Sequence, residues 1–244
     1  MVGTFALTYL MWGAIIVFNS YGYLKVGTVG FWILYPIGGL SSTLLGAYLS
    51  KKSNTVSNYK ALIKEIFHIK QSLKHYMLVL ALFGVYFALP FLSGISENKT
   101  SWYWGLLFVF QMIFFGGLEE IGWRYTFQPA LERHISFWLA SIITGCLWAL
   151  WHLPLFFISG MNEGMNFYLF AFGVLSMSFM LGAIYRISNS LWLCVLFHAM
   201  INAFSQVWGS NGNLVDTLSI TVIIATLTIA MVRFGRNRFK PRIK

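Results

Sequence analysis

Long apolar stretches dominate this chain and restrict it to folds that a lipid bilayer can hold. A helix that crosses the hydrocarbon core needs about 20 mostly apolar residues. Such stretches occur at 4–24, 28–49, 76–95, 102–123, 137–158, 165–186, 190–208 and 214–234. Hydrophobic residues make up 58% of the chain and charged residues 10%, against about 45–50% and about 25% in soluble domains. We therefore predict an all-α, polytopic membrane helix bundle of about eight transmembrane helices, forming a single integral membrane domain over residues 1–244.

Basic residues cluster in two segments outside these stretches, at 50–75 and 235–244. Loops rich in lysine and arginine stay on the cytoplasmic side. Six predicted spans separate the two segments, and an even number places both on the same side. We predict a multi-pass protein of the cell membrane with both termini in the cytoplasm. Its formal charge of +10 then reflects loops that face anionic lipid, so membrane lipids are expected partners and nucleic acid is not.

Within the first basic segment, residues 59–76 mix lysines with apolar side chains. One interpretation is an amphipathic helix that lies on the inner membrane surface. The other is a solvated basic loop, and the sequence favours neither. The second basic segment, the tail 235–244, is predicted to be a disordered cytoplasmic extension.

Three ionisable residues stand inside the fourth apolar stretch: Glu119, Glu120 and Arg124. An ionised side chain at bilayer depth costs at least ~2.5–3.5 kcal/mol, so it persists where it is paired, hydrated or functional. Residues four apart share a helix face, so we expect Glu120 to form an ion pair with Arg124. Glu119 points elsewhere and has no cationic partner on its own helix. We predict that Glu120 and Arg124 support a site in which Glu119 is free to act as a base.

Further polar groups lie in later apolar stretches: His152 in the fifth, and His198 with Asn202 in the seventh. A lone membrane histidine most often makes a helix–helix hydrogen bond. Together with Glu119, however, these residues supply a base, donors for an oxyanion and a means of orienting water. Those parts suffice for peptide hydrolysis without a covalent nucleophile. We therefore predict a polar catalytic cavity inside the membrane.

A metal is an open alternative at this site. Two histidines and a carboxylate with water form a known catalytic zinc set, for which Glu119, His152 and His198 are the candidates. No HExxH motif is present. Spacing across three helices neither supports nor excludes the metal.

Three ordered motifs resemble those of the CPBP (CAAX protease and bacteriocin-processing, or Abi) family of intramembrane endopeptidases. They are Glu119-Glu120-Ile-Gly-Trp-Arg124, Trp148-Ala-Leu-Trp-His152 and His198-Ala-Met-Ile-Asn202. The family writes them EExxxR, FxxxH and HxxxN, and the corresponding core here is about 100–208. Trp148 stands where the motif has Phe. Because an aromatic ring is retained, we expect this departure to alter packing and not chemistry.

The resemblance implies an intramembrane protease that cleaves a peptide or a lipidated, membrane-tethered protein. Glu119 and His152 would activate water, and His198 and Asn202 would stabilise the oxyanion. Glu120, Arg124 and Trp148 would support the site. The family carries a metalloprotease label, but a metal-free glutamate mechanism is also proposed for it. We expect that no cofactor is required, with a divalent metal such as zinc as the alternative.

Within the family the biological role is open among CAAX-type processing, leader-peptide maturation and bacteriocin self-immunity. Two functions outside proteolysis also use buried polar residues. A non-proteolytic bacteriocin immunity or scaffold protein would bind its partner without cleavage. A proton-coupled transporter would use the same Glu and His residues as a relay.

Overall fold

The chain folds almost entirely into helices. The computed structural model describes residues 1–161 and 164–234; the predicted basic tail 235–244 lies outside the described residues. The α-helices are α1 (Val2–Ser20), α2 (Val29–Gly39), α3 (Ser41–Lys52), α4 (Tyr59–Ile66), α5 (Leu73–Leu92), α6 (Tyr103–Phe114), α7 (Glu120–Gly122), α8 (Gln128–Leu131), α9 (Phe137–His152), α10 (Phe167–Ser188), α11 (Leu191–Ser205) and α12 (Leu214–Phe234). Two short strands, β1 (Ser96–Asn98) and β2 (Trp208–Ser210), pair antiparallel. The predicted all-α membrane bundle is confirmed.

Within the described residues, seven helical segments are long and apolar enough to cross a membrane. They are Val2–Ser20, Val29–Lys52, Leu73–Leu92, Tyr103–Leu131, Phe137–Phe157, Phe167–Ser188 and Leu214–Phe234. The seventh predicted stretch, 190–208, is the shorter helix α11 of 15 residues. At ~1.5 Å per residue α11 is only ~22 Å long. Most of its side chains are buried, because it lies in the interior of the bundle.

The core sits around α10 and α11, which contribute more buried residues than any other described helix. α11 packs most extensively against α6, and α10 packs against α9 and α12. The first three helices join this core through α3, which contacts α7, and through α1, which contacts α9. By contrast, α5 and α12 keep most of their surface exposed, as expected of helices that face lipid.

The contact between α3 and α7 is a backbone-to-backbone approach that requires glycine. A Cβ built on Gly46 would lie 2.7 Å from the Cα of Gly122, and one on Gly122 would lie 2.6 Å from the carbonyl oxygen of Ser42. Small residues allow membrane helices to approach this closely. The hydroxyl of Thr43 also donates to the carbonyl of Leu118 at 2.9 Å. The N-terminal helices are therefore fixed directly against the segment that carries the glutamates.

Part of the basic segment forms the amphipathic helix α4, whereas a position of this helix on the inner membrane surface stays a prediction. Its Asn58 cap accepts a hydrogen bond from the Ala61 N–H at 2.9 Å. Leu62 and Ile66 are buried against α3 and α11, so the apolar face contacts protein. The lysines of the segment are exposed.

Candidate active site

The transmembrane segment Tyr103–Leu131 is interrupted where it carries the glutamates. α6 ends at Phe114, and a 3-10 turn, Gly117–Glu119, precedes the short helix α7. A π-helical turn, Trp123–Phe127, then leads into α8. Such irregular backbone is tolerated at membrane depth where it is buried in protein or lines a cavity, and π turns are frequent at functional sites. The break thus marks this segment as the centre of a site.

The segment also extends further than its apolar pattern predicts. The apolar stretch ends at residue 123, whereas the helical segment continues to Leu131. At ~1.5 Å per residue, Glu119 lies ~18 Å from the Leu131 end and His152 lies ~22 Å from the start of α9. Glu119 and His152 are therefore at comparable depth. The helix α9 ends at His152, and a 3-10 turn containing Pro154 follows it.

Glu120 lies at the centre of a buried charge cluster. Its Oε2 is 3.5 Å from Nε of Arg124, so the ion pair expected from the i, i+4 spacing is present. Its Oε1 is 2.8 Å from Nδ1 of His198, a contact that sequence reasoning missed. The side chains of Glu120 and Arg124 are fully buried and that of His198 nearly so. Glu120 therefore joins α7 and the π turn to α11.

Glu119 receives a hydrogen bond from the indole of Trp148. The indole N–H donates to Oε2 at 2.9 Å. The expectation that tryptophan in place of phenylalanine alters packing alone is therefore wrong, because phenylalanine has no such donor. The motif pattern named the position but gave no sign of the direction in which the ring would point.

The tautomer of His152 is fixed by the backbone of its own helix. Its Nδ1 is 2.9 Å from the carbonyl oxygen of Trp148. A carbonyl accepts and never donates, so Nδ1 carries the proton and Nε2 of the neutral ring keeps its lone pair. The ring is enclosed by Trp151 and Phe170, at centroid distances of 4.6 and 5.3 Å. His152 can therefore accept a proton or a hydrogen bond through Nε2.

Gly116 is a site residue that the sequence reasoning missed. A Cβ at this position would collide with Nδ2 of Asn202 and lie 3.2 Å from Nε2 of His198. The nitrogen ends of both side chains therefore converge on the backbone of Gly116, and any larger residue would displace them. The Gly116–Gly117 pair, separated from the glutamates by Leu118, was the available signal.

Several of the predicted catalytic side chains line one cavity of about 300 Å³. Glu119, His152, Asn202 and Gly116 line it, and His198 stands behind Gly116. The remaining lining is mostly apolar: Trp12, Tyr35, Pro36, Gly39, Leu40, Phe114, Phe115, Leu118, Trp151 and Leu155. Five of these belong to residues 12–40, so the N-terminal helices form one wall of the cavity. Nothing in the sequence pattern connected that region to the glutamates.

The metal alternative has little support from the donor arrangement. Across residues 1–161 and 164–234, no three His, Cys, Asp or Glu side chains are close enough to hold a metal ion. Glu119, His152 and His198 each direct one polar atom to another partner, namely the Trp148 indole, the Trp148 carbonyl and Glu120. Metal dependence stays a prediction to be tested.

Comparisons with known proteins point to one kind of enzyme. Residues 100–204 match the Type II CAAX prenyl endopeptidase Rce1-like family. CAAX prenyl protease 2 of Methanococcus maripaludis is 28% identical over 267 aligned residues, which cover 98% of this chain and 93% of that protein. All three sequence motifs lie within the matched segment. The resemblance seen in the motifs is confirmed.

The charge cluster predicts different stabilities for the two neighbouring glutamates. In Glu120→Gln, the buried Arg124 loses its counter-charge, and breaking a buried ion pair costs about 3–5 kcal/mol. Glu119→Gln removes no ion pair and keeps an oxygen that accepts from Trp148. We expect Glu120→Gln to unfold at a clearly lower temperature in detergent micelles, with Glu119→Gln close to the parent. Equal unfolding temperatures for the two variants would contradict the supporting role of Glu120.

Proposed function

We propose that this chain, an intramembrane endopeptidase of the CPBP family, cleaves lipid-tethered proteins of the CAAX type. A CAAX substrate carries a prenyl group on the cysteine of its C-terminal motif. Both comparisons support this substrate class through their names. The observation that carries the proposal is the cavity, in which Glu119 and His152 face an apolar wall. Neither comparison names leader-peptide maturation or bacteriocin immunity.

In the proposed mechanism, a water molecule between Glu119 and His152 attacks the scissile carbonyl carbon. Glu119 takes one proton from the water, and Nε2 of His152 accepts a hydrogen bond that orients it. The carbonyl π electrons move to oxygen, which becomes the oxyanion. When the intermediate collapses, the C–N bond breaks and the proton on Glu119 passes to the leaving amine. The immediate products are a carboxylic acid, which keeps the second proton of the water, and an amine. Transfer of that proton to the amine gives a carboxylate and an ammonium group, and the enzyme returns to its starting state.

Asn202 and His198 are placed to donate hydrogen bonds to the oxyanion. Nδ2 of Asn202 and Nε2 of His198 both lie beside Gly116, at the cavity wall. Nδ1 of His198 faces the Glu120 carboxylate, so a donor at Nε2 requires the imidazolium form of His198. The negative charge of Glu120 compensates that form. Glu120 therefore assists the chemistry through His198 while also pairing with Arg124.

The first test concerns the general base. Glu119→Gln cannot accept the proton from water, and loss of a general base costs about 10²–10⁴-fold in rate. We expect a loss of this size in cleavage of a prenylated CAAX peptide by the purified protein in proteoliposomes. Glu97→Gln, a matched change in the exposed strand β1, should cleave at the parent rate. Normal cleavage by Glu119→Gln would refute the mechanism.

The second test concerns the cofactor. Because the proposed water activation uses side chains alone, we expect dialysis against a chelator to leave the cleavage rate unchanged. The measurement compares the chelated enzyme with the same sample after zinc is restored. A rate that falls on chelation and recovers with zinc would instead assign Glu119, His152 and His198 a metal-binding role.

The third test concerns the lipid on the substrate. A Cβ on Gly39 would lie 3.7 Å from Cζ2 of Trp12, an ordinary contact, so Gly39→Ala should behave as the parent. The longer side chain of Gly39→Leu would extend into the cavity along its apolar wall. We expect Gly39→Leu to raise KM for the prenylated peptide several-fold while kcat changes little. An unchanged KM would show that the lipid binds elsewhere.

We also propose that the chain lies in the cell membrane with both termini in the cytoplasm. This orientation requires the shorter helix α11 to cross the bilayer in addition to the seven longer helical segments. The lysines at 50–75 support this orientation, since they form an exposed basic surface around α4. Under this arrangement the α8 end of the Glu119 segment faces the cytoplasm.

A further inference from the structure

Trp148 contacts four charged or titratable groups of the site: Glu119, His152, Arg124 and His198. Its indole N–H donates to Glu119, and its carbonyl accepts from Nδ1–H of His152, both at 2.9 Å. The guanidinium of Arg124 lies 4.8 Å from the centre of its ring. The ring of His198 meets it edge-on at 5.1 Å. Trp148 is 1% exposed, so these neighbours hold its ring in one orientation.

We propose that Trp148 is a positioning residue that aligns Glu119 and His152 on the same water molecule. This inference rests on the proposed function and adds a role that a phenylalanine could not perform. The terminal torsion of a glutamate is broad and roughly two-fold, so a carboxylate without a donor samples many orientations. The indole fixes Oε2, and Oε1 is then the oxygen directed to water. The carbonyl of the same residue fixes the tautomer of His152.

Because Trp148 contacts both Glu119 and His152, it fixes the positions of these two groups relative to each other. Trp148 and His152 are one turn apart on α9, whereas Glu119 lies on the interrupted segment between α6 and α7. The indole hydrogen bond is a direct polar link between these two elements at the site. A small shift of α9 would therefore carry Glu119 and His152 together. Misplacement of a reacting group by about 1 Å can cost about 10²-fold in rate.

The test removes the donor and keeps the ring. In Trp148→Phe the backbone carbonyl still holds His152, while Glu119 loses its hydrogen bond. We expect kcat for the prenylated peptide to fall about 10–100-fold, with KM unchanged. Trp123→Phe is the matched control, because Trp123 is equally buried and its indole N–H has no acceptor among the described residues. That variant should keep the parent kcat.

Coupling to Glu119 distinguishes positioning from a general structural effect. If Trp148 acts through Glu119, adding Trp148→Phe to Glu119→Gln should lower the residual rate no further. A full additional loss in the double variant would overturn the inference, as would a parent-like kcat in Trp148→Phe. Should Trp148→Phe fail to fold, benzothienylalanine at position 148 replaces the N–H by sulfur and keeps the bicyclic shape. It should give the same loss in kcat, and a parent-like kcat would overturn the inference.

These outcomes are separable from failure of the proposed function. An inactive Glu119→Gln with a fully active Trp148→Phe would remove the positioning role and leave the mechanism intact. A fully active Glu119→Gln would remove the mechanism, whatever Trp148→Phe does.

Discussion

The buried carboxylate of Glu120 holds the rest of the site in place. Two groups approach it from different parts of the fold, Arg124 on the π turn and His198 on α11. In a membrane interior the Arg124 guanidinium needs a counter-charge, which one oxygen of Glu120 supplies, while the other oxygen contacts Nδ1 of His198. The two oxygens of one carboxylate therefore fix the relative position of two helical segments. Asn202, one turn beyond His198, is fixed by the same interaction.

A second level of order depends on aromatic side chains. The Arg124 guanidinium lies over the face of the Trp148 ring, and the indole N–H of Trp148 donates to Glu119. The charge cluster thus orients the ring that in turn orients the base. Elsewhere the indole of Trp151 donates to Thr8 at 2.6 Å, which joins α9 to the N-terminal wall of the cavity. Indole donors suit this task, because they combine an apolar body with one directional polar atom.

The sequence predicted what depends on local pattern. The length of the apolar stretches predicted the membrane bundle, and the i, i+4 spacing predicted the ion pair between Glu120 and Arg124. The predicted end of the fourth stretch at residue 123 was too early, because hydropathy does not reveal the break after Phe114 or the π turn through which the segment continues to Leu131. The Glu120–His198 and Trp148–Glu119 contacts depend on how distant helices rotate against each other. Spacing within one helix carries no information about that rotation.

The polar and the apolar residues that line the cavity come largely from different parts of the chain. The polar residues at its wall belong to the segment 100–204 that matches the family, whereas much of the apolar lining comes from residues 12–40. The two parts meet because Gly46 and Gly122 lack side chains, so that α3 can rest on α7. A larger residue at either position would move the apolar wall away from Glu119 without touching a polar group of the site. These two glycines therefore set the distance between the apolar wall of the cavity and Glu119.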